Sequence, residues 1–106
     1  MNTRIDLDTG STDFGFTDKK GRACGYSWSI QQVTFVSPVS YGCGRSFEAG
    51  QPMIQLWSGP TRNGQSYGPA NRVIVDTLEE ARQIAVRRAE ASKKRDAKKF
   101  VKPEAA

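Results

Sequence analysis

The chain of 106 residues has 16 basic and 11 acidic side chains, no histidine, and a formal net charge of +5. This length is typical of a single domain, and a domain so small has little room for a deep active-site cleft. The longest apolar runs have three residues, whereas a membrane-spanning helix needs about 20. These features exclude a membrane-spanning helix and favour a small binding domain.

The charge is distributed unevenly along the chain. Residues 1–78 have seven basic and six acidic side chains, whereas residues 79–106 have nine basic and five acidic ones. The body is therefore almost neutral and the C-terminal quarter is basic. This asymmetry indicates an anionic partner that one end of the molecule contacts.

Cys24 and Cys43 are the two cysteines of the chain. No apolar segment typical of an export signal follows Met1, so we expect a cytoplasmic protein in which both thiols are free. A disulfide between them is compatible with their number, and whether they ever pair stays open. Two cysteines without histidine are too few to complete a four-ligand zinc site, and we expect no metal or other cofactor.

Alternation of apolar and polar residues predicts three main strands, at residues 24–37, 52–58 and 72–76. The N-terminal segment, residues 1–12, alternates more weakly and fits either an edge strand or a flexible arm. In the first main strand, the apolar positions change from even to odd numbers between Ile30 and Val33. This change predicts a β-bulge near Gln31 and Gln32, or a break into two strands.

Turn residues separate the predicted strands. Residues 18–21 end in Gly21, which supplies the positive φ that such a turn commonly requires. Asn63-Gly64 is the favoured pair for a type I′ turn. These short connections predict antiparallel pairing, while residues 38–51 are rich in Gly, Ser and Pro and predict a long loop of a kind that is often functional.

A helix is predicted to begin after Thr77, because Thr77 and Glu80 have the spacing of a capping box. Its apolar stripe consists of Leu78, Ala81, Ile84, Ala85 and Ala89. Few apolar residues follow, so we expect the packed part of the helix to end near Ala91. Residues 92–106 would then be a basic helical extension or a mobile tail.

Together these elements predict an α+β fold, with a small antiparallel sheet of three to four strands packed on one C-terminal α-helix. Residues 1–91 would form the compact domain, and the basic segment would extend from it. Trp28 and Phe35 are expected in the core, because a chain with only 37% hydrophobic residues needs its large side chains inside.

Basic side chains are concentrated in the second half of the predicted helix. Each of them can contact a nucleic-acid phosphate and contribute salt-dependent affinity. The alternatives are a solvated helix face and contact with an acidic protein surface, and Glu90–Lys94 and Asp96–Lys99 ion pairs would dilute the charge. The candidate nucleic-acid contacts are Arg87, Arg88, Lys93, Lys94, Arg95, Lys98 and Lys99.

Four residues in predicted loops are candidate contacts for a partner protein. Tyr41 and Arg45 lie at the two ends of a Gly-rich segment, and Arg62 and Tyr67 flank the Asn63-Gly64 turn. We expect Tyr41 and Tyr67 to be exposed, and Arg62 to lie exposed at the tip of the turn. The Gly-rich segment matches neither a Walker sequence nor a GxGxxG element, so loop geometry explains it better than phosphate binding does.

The sequence thus predicts a non-enzymatic module that contacts DNA or RNA phosphates through a basic C-terminal helix. Histidine is absent and neither cysteine has an activating motif, so we expect no catalytic residue. One alternative is a phage- or plasmid-encoded inhibitor or adaptor that acts on a host nucleic-acid machine through its Gly-rich loops. A second alternative is a structural subunit of a larger assembly.

Overall fold

The computed structural model describes residues 2–42 and 44–101. Met1, Cys43 and residues 102–106 lie outside the described residues, and so do the predictions about Cys43 pairing and the end of the basic segment. In the described part of the chain, the elements are β1 (Thr3–Thr17), β2 (Ala23–Thr34), β3 (Val39–Ser40), β4 (Ser46–Phe47), β5 (Pro52–Arg62), β6 (Gln65–Ser66), β7 (Asn71–Val75) and α1 (Leu78–Phe100).

An antiparallel sheet forms the body of the molecule, and within the described residues it has five strands. β1 pairs with β2, and β2 pairs with β5. β6 and β7 both pair with β5, along different parts of its other edge. β3 and β4 form a separate hairpin. The predicted α+β fold is confirmed, and from Thr3 onward the N-terminal segment is an edge strand and not an arm.

Both predicted tight turns are present. The Gly21 N–H donates to the Asp18 carbonyl oxygen at 3.0 Å, and Gly21 has a φ of 77°. Asn63 and Gly64 have φ values of 53° and 77°, the positive values that a type I′ turn requires at both central residues. The Asn63 side-chain oxygen also accepts a hydrogen bond of 2.8 Å from the Ala23 N–H, which ties this turn to β2.

β2 has neither the predicted bulge near Gln31 and Gln32 nor the alternative break into two strands, so both predictions are wrong. β2 pairs with β5 without a shift in register from Cys24 to Thr34. The irregularity lies on the neighbouring strand, where Leu7 of β1 falls between two successive pairs with β2.

The change of apolar phase in β2 instead marks a change in the face that the strand buries. Ile30 packs under the helix with Leu56. Val33 and Phe35 belong to a second cluster with Phe47, on the opposite side of the sheet. Because successive residues of a strand point to opposite faces, a continuous strand can contribute to both clusters.

The N-terminus of α1 is capped as predicted, with one difference. The Thr77 hydroxyl oxygen accepts a hydrogen bond of 3.1 Å from the Glu80 N–H. The Glu80 carboxylate accepts a weak hydrogen bond of 3.4 Å from the Asp76 N–H, one residue before the position that a capping box uses. Glu79 and Glu80 also place negative charge in the first turn, where the helix dipole favours it.

α1 crosses one face of the sheet on small side chains. Ala81 and Ala85 are fully buried against Ile30, Leu56 and Val75, the central residues of this core. Further along the helix, another cluster under the same sheet face contains Phe14, Cys24, Tyr26 and Ala89. Alanine at these positions lets the helix approach the sheet closely.

The prediction that helix packing ends near Ala91 is wrong. α1 continues without a break to Phe100, and Ser92 and Asp96 are only 1% and 6% exposed. These two residues continue the buried stripe at helical spacing. Their polar character therefore concealed a buried face.

The contact between Gly10 and Trp28 supplies a test of the fold. A Cβ at Gly10 would lie 2.1 Å from the Trp28 ring, which packs against both clusters under the helix. Gly10→Ala should displace the indole and lower the free energy of unfolding by about 1–3 kcal/mol, measured by urea denaturation. Gly42→Ala is the matched control, since a Cβ there has no neighbour within 4 Å among the described residues. Equal stability of Gly10→Ala and wild type would contradict this placement of Trp28.

Candidate nucleic-acid interface

A buried ion cluster fixes the C-terminal half of the helix to the sheet. Arg62, at the end of β5, is 9% exposed and lies between two carboxylates. Its Nε is 3.3 Å from Asp18 Oδ2, and its Nη2 is 3.4 Å from Asp96 Oδ2. Asp18 belongs to the β1–β2 turn and Asp96 to α1. Arg62 therefore joins three segments of the chain, and the prediction that it is exposed at a turn tip is wrong.

Aromatic rings complete the surroundings of Arg62. Its guanidinium carbon lies 4.6 Å from the centre of the Tyr67 ring and 5.7 Å from that of Phe100. Arg22 pairs with Asp18 at 2.8 Å and also lies 5.0 Å from the Tyr67 ring centre. Tyr67 is exposed, as predicted, at 44%. Its ring nevertheless stacks on these two arginines of the ion cluster.

The Asp18 carboxylate is held in its charged form. Burial alone would raise the pKa of Asp18, but the N–H groups of Arg22 and Lys20 donate to its Oδ1 at 3.0 and 2.9 Å. Together with the Arg22 guanidinium, these donors hold the pKa of Asp18 below its ordinary value. Asp18 therefore stays ionised at neutral pH and can balance the charge of Arg62.

Cys24 lies in the core beside this cluster and carries a free thiol. Its burial raises the pKa of the thiol, so the neutral and unreactive form dominates at neutral pH. Among the described residues, no group of three or more His, Cys, Asp or Glu side chains is placed to hold a metal ion. Within the same residues, no helix is long and apolar enough to cross a membrane.

The side of α1 that faces away from the sheet carries a line of three basic residues, Arg87, Lys94 and Lys98, which we call the outer basic stripe. Spacings of seven and four residues place them on one side of the helix, roughly 10 and 6 Å apart along its axis. All three are exposed, and within the described part of the chain none of them makes an ion pair.

The other predicted helix contacts occupy different positions. Lys93, Arg95 and Lys99 are also exposed, each about 100° around the helix from the residue of the outer basic stripe that is next to it in sequence. Arg88 is half-buried, and its Nη1 donates to Ser58 Oγ at 2.9 Å and to the Asn71 carbonyl oxygen at 3.3 Å. Arg88 therefore ties the helix to the sheet, and we leave it out of the proposed surface.

The predicted dilution of the basic charge is not observed. Asp96 pairs with Arg62, so the predicted Asp96–Lys99 ion pair is wrong. Glu90 and Lys94 form no ion pair within the described residues either. Neither acidic residue therefore forms the predicted ion pair with a basic side chain of the outer helix surface.

Lys19 and Lys20, which were not selected from the sequence, lie at the same end of the molecule. Both are exposed in the turn that contains Asp18. Because Asp18 and Asp96 contact the same guanidinium, this turn lies beside the last turns of α1. No local pattern in the sequence could reveal this neighbourhood, since a buried contact between distant segments creates it.

The sheet face opposite α1 is partly open and carries a second group of aromatic and basic side chains. The Arg72 guanidinium carbon lies 5.0 Å from the centre of the Tyr41 ring and 5.6 Å from that of Trp57. Tyr41 packs against Phe35 and Phe47, with ring centres 6.4 and 6.2 Å apart. Tyr41 is therefore half-buried, where the sequence predicted exposure, while Trp57 is 37% exposed.

Arg45, the remaining predicted partner contact, forms an ion pair with Asp76, just before the helix. Its guanidinium carbon also lies 5.8 Å from the centre of the Phe47 ring. Arg45 thus connects the β3–β4 hairpin to the segment between β7 and α1.

No family model matches this sequence, and neither a curated protein nor a solved structure matches it.

The ion cluster can be tested by removing one of its charges. Asp96→Asn leaves Arg62 with Asp18 as its remaining carboxylate, so we expect the free energy of unfolding to fall by about 2–4 kcal/mol, measured by urea denaturation. Glu90→Gln is the control on the same helix, and a change within about 0.5 kcal/mol is expected for this exposed residue. If Asp96→Asn were no less stable than Glu90→Gln, the cluster would not hold the helix.

The lowered pKa of Asp18 predicts a specific dependence on pH. An acid whose folded-state pKa is below its unfolded-state value, about 3.9 for Asp, contributes stability above that value and loses it as the pH falls through the folded-state pKa. Asp18→Asn should therefore be less stable than wild type between about pH 5 and 7, and the difference should shrink below about pH 4. Urea midpoints at each pH measure this, and a difference that stays constant into strong acid would contradict it.

Proposed function

We propose that the protein binds nucleic acid through the outer basic stripe and the basic residues beside it, by contacts with phosphates. The single observation that supports this most strongly is the row of Arg87, Lys94 and Lys98, exposed and without ion pairs among the described residues. Cations on such a surface release counterions from the nucleic acid when they neutralise phosphates, which makes the binding salt-dependent.

The anchoring of the helix supports the same proposal. A flexible basic tail would lose conformational entropy on binding, whereas a helix fixed by Asp96 and Phe100 has already been ordered by folding. The order of charge along α1 also fits an anionic ligand at its C-terminal half, because Glu79 and Glu80 lie in the first turn and Lys98 and Lys99 in the last.

In the proposed binding, the protein contacts the phosphates of the nucleic-acid backbone and not the bases. Lysine and arginine contacts to phosphates position a protein on nucleic acid but carry no sequence information. The residues of the outer basic stripe are all of this kind, so we propose a binder of low sequence specificity that performs no reaction.

An inhibitor or adaptor that acts through its Gly-rich loops has less support. Arg62 is enclosed in the ion cluster and Arg45 pairs with Asp76. Two of the four residues chosen for that surface therefore already have partners within the fold.

Charge removal on the helix tests the proposal. Lys94→Gln with Lys98→Gln removes two exposed cations, and we expect the slope of log K against log salt for a mixed-sequence DNA duplex to become shallower by roughly 2. Fluorescence anisotropy of a labelled duplex over a series of salt concentrations measures this. Lys94→Arg with Lys98→Arg keeps the charge and should keep the slope.

A matched pair of substitutions on the opposite side gives the control for net charge. Arg4→Gln with Arg72→Gln also removes two exposed cations, but from the open sheet face, and duplex affinity should stay close to wild type. The proposal fails if the wild type does not bind the duplex at low salt, or if both pairs of substitutions change the salt slope equally.

A further inference from the structure

The sheet surface around Tyr41, Trp57 and Arg72, which we call the open face, carries a second inference. We propose that it is a stacking site for the bases of single-stranded nucleic acid. This inference rests on the proposed function, which supplies nucleic acid as the class of ligand. It uses none of the residues of the outer basic stripe, which lies on the other side of the molecule.

Trp57 provides the exposed ring. Its neighbours across the sheet are Ser29 on β2 and Arg72 on β7. A groove of about 200 Å³ lies beside the ring, and its lining includes Ser27, Ser29 and Gly59. Most residues of this groove are small, with Trp28 and Pro60 as the larger ones besides Trp57 itself. A planar base can therefore lie beside the indole on the side that the groove leaves open, opposite the contact with Arg72.

Arg72 provides the charge. Its guanidinium lies between the rings of Tyr41 and Trp57, and within the described residues it makes no ion pair. A guanidinium in this position keeps its N–H groups for a phosphate, and its own plane can also stack on a base. Both parts of a nucleotide thus have a matching group at this point.

A groove of about 340 Å³ extends the open face beyond Arg72, and its lining includes Arg4, Tyr41 and Arg72. Arg4 is exposed and, like Arg72, has no ion-pair partner among the described residues. The nearby acidic side chain on β1, Asp6, accepts a hydrogen bond of 3.2 Å from Gln31. Two cations without ion pairs among the described residues thus share one surface with the rings of Tyr41 and Trp57. Such a surface suits a chain of alternating phosphates and bases.

A single strand fits this surface better than a duplex does. Rings that lie along a sheet can stack only on bases that have left the double helix, and such stacking is the common mode of single-strand binding. The outer basic stripe has no aromatic residue and offers a duplex phosphate contacts alone. The two surfaces therefore differ in the kind of nucleic acid that they take.

Oligothymidylate of about ten nucleotides is the probe, a length within the usual range for single-strand sites. We expect it to quench the fluorescence of Trp57, measured as the difference in quenching between wild type and Trp57→Phe. Its affinity, from anisotropy of the labelled oligonucleotide, should fall roughly 5- to 100-fold in Trp57→Ala and less in Trp57→Phe, which keeps a ring. Arg4→Gln with Arg72→Gln should weaken it as well.

The same proteins titrated with the duplex separate the two proposals. If Trp57→Ala weakens oligothymidylate binding while Lys94→Gln with Lys98→Gln leaves duplex binding unchanged, the open face is supported and the proposed helix function fails. If the helix substitutions weaken both ligands and Trp57→Ala weakens neither, the helix function stands and the open-face inference is overturned.

Folding defects do not decide the outcome. Thermal denaturation identifies a variant that has lost its fold, and the quenching comparison needs only wild type and Trp57→Phe, which keeps an aromatic ring at this position. If wild type and Trp57→Phe are quenched equally, or not at all, the inference is overturned. Such a result would favour an acidic protein segment as the ligand of the surface that contains Arg4 and Arg72.

Discussion

The arrangement of the molecule depends on one buried guanidinium. Arg62 at the end of β5 is enclosed between Asp18 and Asp96, and its charge would be costly at this depth without them. Because the two carboxylates come from the β1–β2 turn and from the helix, pairing their charges with Arg62 also fixes where those segments lie. The last third of α1 is held by this requirement and by the contacts of Phe100, since it contributes few apolar side chains of its own.

The same requirement determines which charges face outward. Asp96 is turned inward against Arg62, so it cannot neutralise the lysines around it. The helix rotation that buries Ala89, Ser92 and Asp96 directs Lys94 and Lys98 away from the sheet. A buried ion cluster thus produces an exposed basic surface, and the proposed binding of phosphates follows from how the helix is attached.

Local chemistry made much of the fold predictable. Asn63-Gly64, Gly21 and Thr77 each have a backbone or capping requirement that acts within a few residues, and the structure places a turn or a helix start at each of them. What the sequence concealed depends on distant contacts. Arg62 resembled a solvated turn residue because both of its carboxylate partners lie far away in the chain. The phase change in β2 resembled a bulge for a similar reason. Val33 and Phe35 are buried by Phe47 of the β3–β4 hairpin, on the sheet face opposite α1, and no local pattern in the sequence predicts where that hairpin packs.

Amide hydrogen exchange in the free protein tests the central claim most directly, since it reports on the attachment of the helix without any ligand. If Arg62 and Asp96 hold the last third of α1, amides between residues 92 and 96 should exchange almost as slowly as those around Ala85, with fraying confined to the final turn, which contains Lys98 and Lys99. Exchange of residues 92–96 at the rate of an isolated helix, beside a protected first half, would contradict the account, because the basic residues would then lie on a mobile segment.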